Sequence, residues 1–550
     1  MKPTYYADFE TSTIGDATRV WLSGWIDEDD NYMWWNDIDG FMHSFTCACD
    51  VYFHNLKYDG SYILNYLLSN GFSWVSDKPK NNKEFSTCID DMGTFYSIEV
   101  KYRKFKVTFK DSYKLLPFSE EVIAISFGLD TLKGSIDYTK PRPFGYEPTY
   151  EELAYHKNDI IIMKKGLWYF FSQQLTKMTI ASNAFNYFKA SLGSLYKAYF
   201  PVFDVELDNE FRKYYKGGFV YCVEDYKDKI LSDISCYDVN SLYPYVMYTF
   251  EYPIGNPKKF AGKYKGSKTC VLHHIKSCFV LKEGYLPTIQ LKNTRGFIPT
   301  EYLKHSDGLE LDLYLPQKDL ELFLEHYDII TLEYVDGWEF KSVKGLFQQY
   351  IDHWIQVKKD NEGGLRQLAK LMLNSLYGKF ATKAIRKSKK PYLDEDGVLR
   401  FITLPPEVNE PIYTPISVFV TSYARYYTIT NAQMFYKEKQ LVYCDTDSIH
   451  CIGENIHDLQ VDDKELGKWK KEYVFDKARY LHAKCYYGEK INDYGKLDKK
   501  IKVAGLPKSK ELKDAININN FTYNFSYGKV LKSKQVKGGV ALVEKEFTIK

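Results

Sequence analysis

Asp445 and Asp447 stand one residue apart in "YCDTDSIH", Tyr443 to His450, between short apolar flanks. Asp and Ser also suit a tight hairpin turn, so this stretch alone fits a plain turn as well as a ligand cradle. "YDVNSLYP" adds Asp238 at the end of another expected strand, and two strands of one sheet would then present three acids together. Repulsion between Asp445 and Asp447 is relieved only if cations sit there. Near the start, "DFE" puts Asp8 and Glu10 on one side of a strand, because strand side chains alternate faces. That spacing is weak by itself, since Asp204 and Glu206 repeat it without evident partners.

The company of Asp8 and Glu10 strengthens the reading. "FHNLKYDG" adds Asn55 and Asp59 in an expected loop, and "YHKND" adds Tyr155 and Asp159 on an expected amphipathic helix. Four acids from a strand, a loop and a helix could converge on two divalent ions. Two such ions about 3.5 to 4 Å apart activate a water and stabilise the leaving oxygen of a phosphodiester, and hard oxygen ligands suit Mg²⁺ or Mn²⁺. Tyr155 would orient the water. A third group lies in "IDHWIQVKKDNEGGLRQLAKLMLNSLYGKF", a long helical stretch whose Leu and Met spacing indicates a buried face. On it Arg366, Lys370, Asn374 and Tyr377 recur as one polar stripe. Lys370, with Lys358 about three turns before it, can neutralise a triphosphate. Asn374 and Tyr377 would face a base and sugar.

These residues need a large scaffold, and 550 residues imply two or more domains. A 45% hydrophobic and 17% aromatic composition is that of a folded protein. A net charge of only +2 gives no global basic signature, so any polyanion surface must be local. Lysines do cluster, at Lys387 to Lys390, Lys496 to Lys502 and Lys529 to Lys537. The ten cysteines are scattered without zinc spacing, and no apolar run approaches the roughly 20 residues of a bilayer span, so a soluble protein with reduced thiols is expected. The first third mixes strands such as "TYYADFE" and "CDVYFHNL" with the helical "YEELAYHKNDIIIMKKGLWYFFSQQL". Distant strand-like runs, "GGFVYC", "PIYTPISVFVTSYARYYT" and "QLVYCDTDSIHCI", could share one sheet. "KAIRKSKKPYLDEDGVLRFITLPPEVNEP" reads as a protruding hairpin about its D-G turn.

With "DFET", "FHNLKYDG", "YHKND", "YKGGF", "DVNSLYP", "KLMLNSLYGKF", "YCDTDS" and "KCY" in this order, the chain resembles the family B DNA polymerases, specifically the protein-primed phi29-type phage group. The resemblance implies an α/β and α+β multidomain fold. A ribonuclease H-like 3′–5′ exonuclease would occupy residues 1–180, and a right-hand polymerase the remainder. The palm would take 181–250 and 413–505, the fingers 345–382 and the thumb 506–550. Two family-specific insertions, 251–344 for docking a primer protein and 383–412 for strand displacement, would complete it.

By motif matching, Asp8, Glu10, Asp59 and Asp159 become exonuclease metal ligands, assisted by Tyr155 and Lys133. Thr11, His54, Asn55, Ser112 and Tyr138 would hold the single-stranded 3′ end. In the polymerase, Asp238, Val239 and Asp447 would bind metal with Asp445 in support, two Mg²⁺ or Mn²⁺ ions serving each site. Tyr243 would lie under the sugar, Asn374 and Tyr377 beside the base pair, and Lys358 and Lys370 on the phosphates. Tyr215, Gly217 and Gly218 would steer the strand between sites, while Lys484 and Tyr486 hold the primer end. Implied partners are template and primer DNA, dNTPs, a terminal protein primer bound as a heterodimer, and single- and double-stranded DNA-binding proteins, in the host cytoplasm and with no membrane. An RNA- or DNA-primed family B polymerase, or an inactive polymerase-like DNA-binding scaffold, would be the alternatives. Two departures stand out: Lys216 replaces the usual arginine of Y-x-G-G and loses its fork geometry, and Tyr113 replaces a typical Leu.

Overall fold

The computed structural model describes residues 2–12, 18–137, 140–291, 301–454, 459–507 and 509–550. Segments rich in β-branched and aromatic residues build an eight-stranded mixed sheet. From edge to edge it runs Tyr32–Trp35, Arg19–Ile26, Thr4–Ser12, Cys49–Phe53, Lys106–Asp111, Phe95–Lys101, Glu84–Ile89 and Ser73–Trp74. The Tyr150–Ser172 helix covers one face and begins at a capping box between Thr149 and Glu152, which satisfies two otherwise orphaned N–H groups. Its Ile160, Met163 and Leu167 are buried with Tyr6 and Ile26 of the sheet.

A second, antiparallel sheet gathers strands more than 200 residues apart in sequence. Its order is Leu497–Lys502, Cys485–Ile491, Trp469–His482, Ile230–Val239, Ser448–Ile452, Leu441–Asp445 and Val220–Cys222. The run "PISVFVTSYARYYT" does not join it, contrary to the strand-like reading; it opens the Pro415–Lys437 helix. Proline at the first helical position needs no N–H there, and the helix is buried on nearly every side, so burial overrides the β propensity of Ile416, Val418 and Val420.

The expected long helical stretch is two helices, Gln348–Asp360 and Gly363–Phe380. The break falls at Gly363, whose φ of +54° is left-handed, and a Cβ on Gly364 would fall 2.4 Å from the Tyr169 ring. Lys358 and Lys370 therefore sit on different helices. Between Glu251 and Lys344 lies a four-stranded sheet, Glu251–Ala261, Tyr327–Lys344, Val271–Leu281 and Leu311–Pro316, with the Gln317–His326 helix against it. Glu251 pairs directly with Lys344, so this segment leaves and re-enters the chain at one place. Lys389–Leu393 and Leu399–Thr403 form the hairpin about Asp396–Gly397. The chain ends in a second hairpin, Ser526–Val536 with Gly539–Thr548. One core joins the Tyr150–Ser172 helix to the helices at 363–380 and 415–437, so the halves pack as one body.

Candidate active sites

On Thr4–Ser12, Asp8 and Glu10 face the Tyr150–Ser172 helix, and ligand oxygens of Asp8, Glu10 and Asp159 lie within 4.8 Å of one another. Asp59 joins them from the first turn of the Leu56–Ser69 helix rather than from a loop, and it is buried. Asn55 starts that helix with a left-handed φ of 68°, a conformation asparagine tolerates. The buried Asp111 carboxylate accepts the backbone N–H groups of Asn55 and Leu56. Burial, then mutual repulsion, raises every carboxyl: Asp8 by burial and Asp59, Glu10 to about 8 by burial and Asp159, and Asp159 to about 6 by burial and Glu120. Lys133 and a hydrogen bond from Tyr155 pull Asp159 back down.

Lys133 donates to Asp159 at 2.6 Å and to Glu120, a residue that sequence patterning left without a role. Thr11 shares a 2.7 Å hydrogen bond with Tyr58. His54 donates from Nε2 to the Phe118 carbonyl and, held neutral by burial, accepts from Ser112 at Nδ1. The departing Tyr113 packs its ring edge-on to His54 at 5.4 Å. Tyr138 lies outside the described residues. His156, inside the quoted "YHKND", is buried and held neutral with a pKa near 4. Its Nε2 donates to the Asp8 carbonyl, leaving Nδ1 to accept from Tyr32.

In the second sheet, Asp445 ends one strand and Ser448 begins the next, so Thr446 and Asp447 form a two-residue turn. Turn and cradle are one object. Asp238 pairs across the sheet with Ser448, and the Val239 N–H donates to the Asp447 carbonyl at 2.8 Å. Burial and then Asp447 raise Asp238 to about 8, while burial and Asp445 raise Asp447 to about 6. Asp445 has a protein cation for its own charge: Lys484 Nζ lies 2.9 Å from Oδ1, so relief by metal alone was too narrow an expectation. Tyr486 packs beneath the turn against Tyr443 and His450. Lys470, opposite Asp238, and the pocket-lining Glu472 were not singled out from sequence, and of the Lys496 to Lys502 cluster sheet register brings Lys500 and Lys502 to the pocket. The pocket spans about 430 Å³ and includes Tyr243 and Tyr377, stacked at 3.9 Å.

Arg366, Lys370 and Asn374 are exposed along one side of the Gly363–Phe380 helix, with Leu368, Met372 and Leu376 buried opposite. Burial, then the charges of Lys370 and Arg366, lowers the pKa of Lys358, which marks a concentration of positive charge suited to a polyanion. Behind the acidic turn, a Cβ on Gly218 would meet Thr446 Oγ1 at 2.6 Å, whereas Gly217 faces open space. Arg425, fully buried, forks onto Asp319 at 2.9 and 2.6 Å and donates to the carbonyls of Lys216 and Gly217. Tyr215 lies within electrostatic reach of Tyr377. The decoy pair has a structural use, since Asp204 caps the Val205–Tyr214 helix.

Both acidic clusters fit divalent cations. Asp159 Oδ1 and Asp238 Oδ1, one in each, are buried carboxylate oxygens without a hydrogen-bond partner, a costly state that a cation relieves.

Comparison with known proteins agrees with this geometry. Residues 46–151 and 131–466 match the family described as DNA polymerase type B, organellar and viral. The DNA polymerase of Bacillus phage phi29 is 43% identical over 99% of both chains, and that of Streptococcus phage Cp-1 is 36% identical over 99% of this chain and 98% of its own. A structure of the phi29 polymerase with primer-template DNA and incoming nucleotide substrates superposes over 100% of both chains at 41% identity and a TM-score of 0.94. The chain therefore belongs to the type B DNA polymerases of organelles and viruses, alongside the phi29-type phage enzymes.

Proposed function

We propose that this DNA polymerase is a replicative enzyme of a linear phage-type genome, with 3′–5′ proofreading, protein-primed initiation and strand displacement, acting in the host cytoplasm. One observation carries the reading: two carboxylate clusters, each with an orphaned buried oxygen, sit on separate sheets of a single chain. Asp238 and Asp447 serve nucleotide transfer; Asp8, Glu10, Asp59 and Asp159 serve hydrolysis. Pairs of Mg²⁺ or Mn²⁺ ions bound at these clusters supply activation of the attacking oxygen and stabilisation of the leaving one. Lys358, Lys370 and Arg366 receive the triphosphate, and Lys484, paired with Asp445, stands beside the primer end. Tyr243, stacked on Tyr377, would lie under the sugar and reject a 2′-hydroxyl by steric clash. At the other site, Tyr155 orients water, Lys133 offsets charge, and Thr11, His54 and Asn55 line the frayed strand, while Ser112, fully buried, acts through its hydrogen bond to His54.

Strand displacement rests on how the hairpin at 383–412 is held. Phe401 packs edge-on to Phe95, and Leu399 enters the exonuclease core with Val540 of the C-terminal hairpin. Val398 bridges to Lys537. Hairpin and thumb tip thus meet against the exonuclease, a closed arrangement that admits one template strand and pries apart the duplex ahead.

For initiation, a hydroxyl of a partner protein must reach the Asp238–Asp447 site. That partner occupies the duplex channel, presents an acidic face to the lysines of Lys529 to Lys537, and docks on the 251–344 segment. Mixing both proteins with labelled dATP, Mg²⁺ and origin DNA should label the partner without any DNA primer. A partner band that stays unlabelled while primed DNA is extended would instead favour RNA-primed initiation.

A further inference from the structure

At the C-terminal end of the Gly363–Phe380 helix, three separated stretches of chain meet in one polar knot. Arg212, in the last turn of the Val205–Tyr214 helix, donates from Nη1 to the Ala381 carbonyl at 3.1 Å and from Nη2 to the Thr382 carbonyl at 2.7 Å. Ala381 caps the Gly363–Phe380 helix at its C-terminus. Asp208, only 1% exposed, grips the same guanidinium through Nε at 2.6 Å and Nη2 at 3.4 Å, and also accepts from the Thr414 hydroxyl. Thr414, fully buried, lies where the chain returns from the 383–412 hairpin. Carbonyls past the end of a helix lack intrahelical partners, and the helix dipole is negative there, so a fixed guanidinium suits both needs.

We propose that Arg212 is a positioning residue for nucleotide selection, which clamps the C-terminal end of the Gly363–Phe380 helix and so holds Tyr377 against Tyr243. Tyr377 stands one turn before Ala381, so any slide or fraying of that last turn shifts its ring. The ring pair has little slack, with centroids 3.9 Å apart. Tyr215, which follows the Val205–Tyr214 helix directly, lies within electrostatic reach of the same ring. The Arg212 guanidinium donates to Asp208, Ala381, Thr382 and Thr414, which belong to neither acidic cluster. Its effect on chemistry therefore passes through Tyr377. This inference rests on the polymerase reading above.

Arg212→Lys is the test, because lysine keeps a positive charge beside Asp208 but lacks the fork that spans two carbonyls. Loss of one charge-assisted hydrogen bond should raise KM for dCTP about tenfold and lower dCTP-over-CTP selectivity by a similar factor, with kcat changed less than about twofold. Degradation of single-stranded DNA should keep its rate, which also reports folding. Amide hydrogen exchange from Tyr377 to Ala381 should accelerate. Asp208→Asn, which leaves the fork in place, should move the same quantities less. Wild-type KM and selectivity in Arg212→Lys would overturn the proposal, as would equal losses of extension and degradation, the mark of a merely structural brace. Were the wild-type protein itself to extend no primer, the polymerase reading would fall, and the exchange measurement would still decide whether Arg212 holds the helix end.

Discussion

Gly218→Ala applies a small, local push to the polymerase site. The added Cβ would fall 2.6 Å from Thr446 Oγ1, 2.7 Å from Cγ2 and 3.0 Å from Cβ, where ordinary contacts begin at 3.4 Å. Thr446 has little freedom to retreat. Its N–H donates to the Phe219 carbonyl at 2.7 Å, its carbonyl accepts from Thr428 at 2.6 Å, and its φ of +59° is already costly for a β-branched residue. A rotamer change does not help, because Cβ itself is too close. Overpacking of this kind costs about 1 to 3 kcal/mol. Thr446 immediately precedes Asp447, so if that strain displaces the carboxylate, single-turnover extension slows by about 5- to 150-fold. Degradation of single strands should be unchanged. Adding Thr446→Gly, which removes the obstructing side chain and suits positive φ, should restore extension. Wild-type extension by Gly218→Ala, or loss of both activities together, would refute the reasoning.

Three other outcomes are expected. Tyr243→Val should admit ribonucleotides, read as a fall in dCTP-over-CTP discrimination; unchanged discrimination would remove its role under the sugar. Deleting Lys389 to Asn409 should shorten products and abolish displacement on nicked circles while sparing gap filling, and displacement that survives would end the ring mechanism. In chelator, the melting temperature should fall as pH rises from about 5 to about 8, because folded Glu10, Asp159, Asp238 and Asp447 hold protons more tightly than they do unfolded. Mg²⁺ should recover that loss at the upper pH, and a flat or rising profile without metal would contradict the burial argument.

The acids were legible because their type and spacing survive in the linear string: Asp8 with Glu10 on one strand, Asp445 with Asp447 in one turn. Their partners mostly were not. Glu120 reaches Lys133 from a short helix with no motif around it, and Asp319 reaches Arg425 across 106 residues. Only the fold makes such pairs neighbours. The two helix errors have local causes. "PISVFVTSYARYYT" carries strand-forming residues into a fully packed helix, and "NEGG" interrupts an otherwise continuous apolar periodicity. Lys484 illustrates a subtler limit, since its motif marked a site residue but not that its charge is already engaged by Asp445. No helix among the described residues is long and apolar enough to cross a membrane.

Assignment of two separate chemistries to two acidic clusters is tested most directly on a primed single-stranded circle with Mg²⁺ and dNTPs, in parallel with a labelled single-stranded oligonucleotide. Asp8→Ala with Glu10→Ala should extend the primer and leave the oligonucleotide intact; Asp447→Ala should degrade the oligonucleotide and extend nothing. Loss of both activities from either change, in protein that remains folded, would contradict the assignment.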